Sequence, residues 1–108
     1  MSAFATLGDF VAHLQHVEVV PRPAGEEWAV MIARISVPGT VAEIDDYTWN
    51  WFLECLPPKY MMGGLFAFAE GAEPLRIFWK RQDTYFVRPL TWDETNTFCY
   101  LAGIPFPD

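Results

Sequence analysis

Residues 43–58, EIDDYTWNWFLECLPP, constrain the fold more than any other stretch of this chain. We interpret them as one aromatic helix that Asp45 caps and that Pro57 and Pro58 end, because proline cannot continue a helix. At about 100° per residue, apolar side chains cover most of the circumference of this helix. The polar strip consists of Asp46, Asn50 and Glu54. A surface helix usually has a narrower apolar stripe, so we expect this helix to be the central element of the core.

The length and composition of the chain indicate one globular domain over residues 1–108. Hydrophobic residues make up 52% and aromatic residues 17% of the 108 positions. A chain of this size can bury a core without a metal ion or a disulfide. Cys55 and Cys99 both fall in predicted helices and lack the spacing of a zinc site. We therefore expect buried thiols in a reducing compartment, and no cofactor.

The N-terminal half is predicted to contain a helix followed by two strands. Thr6 has the position of a helix N-cap, with Asp9 three residues later. Residues 17–21 form the first predicted strand. Residues 28–37 form the second, because their side chains alternate as they do in a strand. Residues 22–27 contain proline and glycine and are predicted to join the two strands as a hairpin.

The C-terminal half predicts three strands and a last helix. The strands cover 65–69, 75–80 and 84–88 and form an antiparallel meander, preceded by a glycine-rich loop over 59–64. Basic residues alternate with apolar ones in the meander, so one of its faces is predicted to be wet. These basic residues are Arg76, Lys80 and Arg88. A capping box, formed by Thr91 and Glu94, starts the last helix, and Gly103 ends it.

The predicted order is therefore αββαβββα. It is typical of an α+β domain in which one antiparallel sheet packs against helices on one face. Two separate small sheets are the alternative. No apolar run approaches the ~20 residues of a membrane helix. The N-terminus lacks the basic start of a signal peptide, and we expect a cytoplasmic protein.

The chain is acidic, and the acidity is concentrated in its first half. The net charge is −7, and residues 1–56 contain eight acids but only two arginines. Such a charge disfavours direct binding to nucleic acid, because phosphate binding requires a positive field. It favours a protein partner with a basic surface. The alternative is that acidity only keeps an aromatic protein soluble.

The candidate contact residues are five acids and two apolar anchors. The acids form two groups in the sequence, which the fold either brings together or keeps apart. They are Glu26, Glu27, Glu43, Asp45 and Asp46. The anchors are Tyr60 and Met61, since buried apolar side chains hold complexes together while charges set rate and register. No catalytic motif such as GxSxG, HExxH or the Walker sequence is present, and we predict no catalytic or metal-binding residue.

Several short runs between residues 47 and 105 resemble a family of small bacterial proteins of unknown function. These runs are LPPKYM, FAFAEG, FWK, YFVRPLTWDET and LAGIP. Members of that family are often encoded on plasmids and other mobile elements. The resemblance implies no activity and no catalytic residue. Small acidic proteins of mobile elements include inhibitors of host defence complexes, such as anti-CRISPR proteins, and this chain is similar to that group in character only.

These observations lead to one main hypothesis and two alternatives. The main hypothesis is a non-enzymatic, acidic protein-binding module that blocks the basic surface of a bacterial defence complex, with a CRISPR effector subunit as one such partner. The first alternative is a small-molecule-binding or enzymatic domain. Its pocket would lie between the sheet and the central helix, lined by Trp49, Trp51 and Trp79. The second alternative is a structural accessory protein that forms a homodimer.

Overall fold

The structure is a computed structural model that describes residues 4–71 and 73–105. Over these residues the chain forms four helices and six strands that pack as one α+β domain, which confirms the predicted fold class. The helices are α1 (Leu7–Leu14), α2 (Trp28–Arg34), α3 (Asp46–Cys55) and α4 (Trp92–Ala102). The strands are β1 (Val19–Val20), β2 (Val41–Ile44), β3 (Tyr60–Met62), β4 (Leu65–Phe68), β5 (Arg76–Arg81) and β6 (Thr84–Pro89).

The six strands form a single sheet in the order β1-β2-β6-β5-β4-β3. The predicted meander of β4, β5 and β6 is confirmed, and each of its pairs is antiparallel. The sheet is mixed, however, because β1 pairs with β2 in parallel. Strand β2 lies between β1 and β6, with Ile44 opposite Tyr85. The alternative of two separate sheets is therefore wrong.

Helices cover both faces of the sheet, so the prediction of helices on one face is wrong. Successive residues of a strand point to opposite faces, and β5 buries side chains on each face. Ile77 and Trp79 pack with α1 and α4 in one apolar cluster. Phe78 packs with α3 and the end of α2 in the other. The sheet is thus the middle layer of three.

Helix α2 replaces the strand that was predicted for residues 28–37. Its alternating apolar residues fit a helix equally well, because Met31 and Ile35 are four residues apart and both are buried. The backbone N–H of Ile35 donates to the carbonyl of Met31 at 3.0 Å. Residues 22–27 consequently join β1 to α2 and do not form a hairpin.

Two strands lie where none was predicted. The glycine-rich segment 59–64 contains β3, which pairs with β4 so that Met62 faces Leu65. Gly63 and Gly64 form the turn between them with φ values of 56° and 85°. Positive φ at both positions suits the tightest hairpins, and glycine adopts it without steric cost. Strand β2 also takes Glu43 and Ile44, which were assigned to the central helix.

Helix α3 has the predicted cap but is not buried on all sides. Asp45 accepts a hydrogen bond from the backbone N–H of Thr48 at 2.8 Å, which confirms the N-cap. Thr48, Trp49 and Phe52 are its buried residues, whereas Tyr47 is 68% exposed. The helix therefore packs against the core on one side only and is exposed to solvent on the other.

The two cysteines differ in their surroundings. Cys55 lies at the exposed end of α3, so the prediction that it is buried is wrong. Cys99 is buried in α4, as predicted, and burial raises the pKa of its thiol. A thiol with a raised pKa has little thiolate at neutral pH, so Cys99 is suited to packing.

Arg88 was predicted to lie on a wet face but is only 4% exposed. Its Nη1 donates to the carbonyl of Leu14 at the end of α1. Its Nη2 donates to Glu94 Oε2 at 2.6 Å. Glu94 Oε1 in turn accepts from the backbone N–H of Thr91, completing the predicted capping box. One arginine on β6 therefore joins the end of α1 to the start of α4.

We expect Arg88→Ala to lower the free energy of unfolding by about 3 kcal/mol, because it removes one partner of a largely buried ion pair. The carbonyl of Leu14 and the carboxylate of Glu94 both lose a donor. Urea unfolding followed by circular dichroism measures the loss. The control is Arg81→Ala, whose exposed side chain donates only to Gln15 among the contacts described, and which we expect to cost less than about 0.5 kcal/mol. Equal effects of the two substitutions would contradict the role of Arg88.

Candidate protein-binding surface

Helix α2 leaves an apolar side uncovered. Its sequence, WAVMIAR, has a single charged residue. Met31 and Ile35 face the core, but Val30 is 54% exposed and Val37, just beyond the helix, is 49% exposed. A helix that is apolar all round is normally buried on every side. We name the uncovered side the α2 face and define it as Ala29, Val30, Ala33 and Val37.

Three aromatic side chains meet beside the α2 face. Trp28 begins α2, while Tyr47 and Trp51 lie one turn apart on α3. The Trp28 ring is 5.5 Å from each of the other two, at interplanar angles of 82° to Tyr47 and 76° to Trp51. Edge-to-face contacts of this kind are favourable between aromatic rings. We name these three side chains the aromatic corner.

The aromatic corner borders an open cavity of about 400 Å³. Besides the three rings, the cavity is lined by Glu26, Met31 and Asp45. Beneath it, Thr48 Oγ1 donates to Asp45 Oδ1 at 2.6 Å and lies 2.9 Å from Met31 Sδ. The fully buried Thr48 thus fixes both the carboxylate and the thioether of the cavity wall.

Glu26 forms an internal ion pair instead of a free surface charge. Arg34 Nε donates to Glu26 Oε1 at 3.1 Å, and Arg34 Nη2 donates to Oε2 at 2.7 Å. The Glu26 side chain is only 4% exposed. The hydrogen bonds from Arg34 lower the pKa of Glu26 below its usual range, against the effect of partial burial. Of the first predicted acidic group, Glu27 is the exposed member.

Asp45 is held ionised by its capping contacts. Partial burial raises its pKa, but the hydrogen bonds from the Thr48 hydroxyl and backbone N–H outweigh burial and lower it overall. The positive charge of Arg22 acts in the same direction. Asp45 therefore keeps its negative charge at the edge of the cavity across the physiological pH range.

The acids beside α3 form a second wall, which we name the acidic rim. Its members line a neighbouring polar cavity of about 390 Å³, together with Arg22 and Tyr85. They are Glu43, Asp45, Asp46 and Asp83. Because Asp45 lines both cavities, the two acidic groups of the sequence are adjacent in space. Asp83 was not predicted. It follows β5, and the pairing of Ile44 with Tyr85 brings it to the rim.

Tyr60 and Met61 lie away from the acids. They belong to β3, at the opposite edge of the sheet from β1. Four strand spacings separate β3 from β2, or about 19 Å. The Tyr60 ring packs on Phe98 at 5.4 Å between centroids, while Met61 is exposed. The seven predicted contact residues therefore do not form one continuous patch.

The pocket proposed between the sheet and the central helix is not formed by the three tryptophans. Trp49 packs in the cluster beneath α3. Trp79 packs in the cluster on the other side of the sheet. Side chains on opposite faces of the sheet cannot line one cavity. Trp51 borders the cavity beside the aromatic corner, and Trp79 borders a separate one near Gly63 and Gly64.

Residues 4–71 and 73–105 contain neither a candidate metal site nor a candidate membrane-spanning helix. In these ranges, His, Cys, Asp and Glu side chains form no group of three or more that could hold a metal ion. None of the described helices has the length and apolar character needed to cross a bilayer. Comparison of the chain with protein-family models, curated protein sequences and solved structures gave no match. The resemblance of residues 47–105 to a mobile-element family stays a prediction.

We expect the free energy of unfolding to fall as the pH is lowered from about 5 to about 2. The folded-state pKa values of Asp45 and Glu26 lie below the ordinary values of about 3.9 and 4.3. Their contribution is therefore complete above those values and is lost as the pH falls through the folded pKa. Urea unfolding at a series of pH values measures the slope.

Asp45→Asn separates the charge of the cap from its hydrogen bonds. Asparagine keeps an acceptor oxygen for Thr48 and caps a helix about as well as aspartate. We expect this variant to lose less stability than the wild type on acidification. Asp46→Asn, at the exposed neighbouring position, is the control. If the free energy of unfolding of Asp45→Asn fell with pH as steeply as that of the wild type, the cap carboxylate would not contribute to acid sensitivity.

Proposed function

We propose that the chain is a non-enzymatic protein-binding module that binds its partner through the α2 face and the acidic rim. The α2 face carries the proposal, because it is an apolar helix side that the rest of the domain leaves uncovered. Exposed apolar surface bordered by polar groups is typical of protein interaction sites. A partner that covered Val30 and Val37 would remove from water the surface that the fold does not bury.

The charges around the α2 face indicate the chemistry of the partner. Glu27 is the N-cap residue of α2, and the acidic rim adjoins the start of this helix through Asp45 and Tyr47, which line the cavities on both sides. Arg22 is the nearest exposed cation that lines the rim, since Arg34 is already paired with Glu26. A negative field of this kind speeds association with a positive surface and repels nucleic acid. The partner that fits is a protein with apolar contacts next to lysine and arginine side chains.

Proteins that bind nucleic acid have such basic surfaces. We therefore propose that the module occupies the nucleic-acid-binding surface of a bacterial complex and competes with the nucleic acid for it. A subunit of a CRISPR effector is one partner of this kind. The size of the chain, its net charge of −7 and the resemblance of residues 47–105 to mobile-element proteins support this proposal.

Charge reversal tests the electrostatic part of the proposal on a partner recovered from bacterial lysate with the tagged chain. We expect Asp46→Lys to slow association severalfold at low salt and to flatten its salt dependence. The control is Asp93→Lys. Both residues are acids in the first turn of a helix, but α4 lies on the other side of the sheet. Surface plasmon resonance at several salt concentrations measures the rates. Equal effects at the two positions would contradict a contact at the rim.

The apolar part of the surface has its own test. We expect Val30→Asp to weaken binding of the same partner at least tenfold, because a charge would have to be buried in an apolar contact. Tyr100→Asp is the control, since Tyr100 is 81% exposed on α4. Isothermal titration calorimetry gives the affinities, and thermal unfolding verifies that both variants fold. Unchanged binding by Val30→Asp would exclude the α2 face from the interface.

A further inference from the structure

The aromatic corner has a ring arrangement that apolar contact through the α2 face does not explain. Two rings stand nearly perpendicular to Trp28, each with its centroid 5.5 Å away. Trp28 and Tyr47 are both partly open to solvent, although large aromatic side chains usually bury most of their surface. Perpendicular rings leave a recess in which a small group can touch more than one aromatic surface. The cavity beside them, about 400 Å³, is within the range of ligand sites.

The charge at this recess selects the sign of the occupant. Two carboxylates line the cavity, from Glu26 and Asp45. Glu26 is already neutralised by a bidentate contact with Arg34, so Asp45 supplies the net negative charge. Both capping bonds from Thr48 go to Asp45 Oδ1. The faces of aromatic rings are also negative and attract cations, most strongly for tryptophan. An anion would be repelled by the carboxylate and by the ring faces together.

The same type of contact already exists elsewhere in the domain. Lys80 Nζ lies over the ring of Tyr85, 5.3 Å from its centroid. That ring lines the same cavity as the acidic rim, next to the corner. A planar guanidinium prefers to lie flat on one ring or between parallel rings. An ammonium group is compact and has no preferred plane, so it suits a recess between perpendicular rings.

We propose that the aromatic corner is a binding site for an alkylammonium group, supplied by a lysine side chain of the partner protein. The four-carbon stem of the lysine packs against Met31 and the rings, and its ammonium group lies against Trp28, Tyr47 and Trp51 with Asp45 as its counter-charge. This inference rests on the proposed binding function and adds the residue type that the partner inserts. The site is adjacent to the α2 face, because Trp28 begins the helix that forms both.

The test uses the tripeptide acetyl-Gly-Lys-Gly-amide and its neutral isostere with norleucine in place of lysine. Titrations are followed by the indole N–H signals of the purified protein in two-dimensional NMR. We expect the lysine peptide to shift the signals of Trp28 and Trp51 and to leave that of Trp79 unchanged. We expect the norleucine peptide to shift none of them. Equal shifts with norleucine would overturn the proposal in favour of a purely apolar groove.

Two further probes test whether the corner prefers lysine to arginine and whether its cation comes from a protein side chain or from a free small molecule. Acetyl-Gly-Arg-Gly-amide should bind more weakly than the lysine peptide, and tighter binding would overturn the choice of lysine. Tetramethylammonium chloride tests for a free small-molecule ligand. If it binds more tightly than the lysine peptide, the corner is a site for a soluble ammonium compound and the assignment to a partner side chain is wrong.

Substitutions test whether the NMR shifts report binding of the lysine peptide at the aromatic corner. We expect Tyr47→Leu to weaken lysine-peptide binding about tenfold, which corresponds to a cation–π contribution near the middle of the usual range. Tyr100→Leu, another highly exposed tyrosine, should leave it unchanged. Asp45→Asn keeps the helix cap and should also weaken binding. Full affinity in Tyr47→Leu would overturn the proposal.

The outcomes for the corner and for the binding module can be told apart. If Asp46→Lys and Val30→Asp weaken binding of the natural partner but Tyr47→Leu does not, the proposal of a binding module stands and the proposal of a lysine site is wrong. If the lysine peptide binds at the corner but Val30→Asp leaves the partner bound as before, the lysine site remains and the α2 face is wrong.

Discussion

The arrangement of this domain follows from a sheet that is apolar on both faces. In β5, Ile77 and Trp79 point to one side and Phe78 to the other, and all three are buried. Leaving either face in water would expose several aromatic side chains, at a cost of roughly 1.5–3 kcal/mol for each large residue. Helices on both sides are therefore required. The two helices on the side of Phe78, α2 and α3, form the proposed binding surface.

Helix α2 covers its side incompletely, and the binding surface results from that. It has only seven residues, and its fully buried contacts with the core come from Met31 and from the C-cap residue Ile35. Ala29, Val30 and Ala33 are apolar although they are exposed, so the packing of this domain does not account for them. The Glu26–Arg34 ion pair fastens the start of the helix to its last turn. The apolar surface is thus presented on a fixed support, which reduces the entropy cost of binding.

The fold class, the meander and the helix caps could be predicted because each depends on local chemistry. Thr6, Asp45 and Thr91 are caps by their side chains alone, whatever surrounds them. Helix α2 could not be predicted, because short apolar runs fit both a strand and a helix and only the tertiary contacts of Met31 decide between them. Strand β2 has four residues and pairs with β6, more than 40 positions later. No local pattern reveals such a pairing.

The same distinction applies to the candidate site. The acids next to α3 were predicted because they stand beside a helix start that the sequence shows. The aromatic corner needs the position of Trp28, so it depends on the helix that was missed. Asp83 could have been found from the meander, since its turn follows the strand that pairs with β6. Tyr60 and Met61 were predicted as apolar anchors of the same contact surface, whereas the sheet places them at its far edge.

The contact between Arg88 and Leu14 has a consequence for synthesis on the ribosome. The two residues are 74 positions apart, so α1 leaves the ribosome long before its anchor on β6 exists. At a usual elongation rate of 5–20 residues per second, the delay is roughly 4 to 15 s. During that time Phe10 and Leu14 have no sheet to pack on. An eight-residue helix is marginal in isolation, so the N-terminal segment leaves both apolar side chains exposed until the last third of the chain emerges and supplies the sheet.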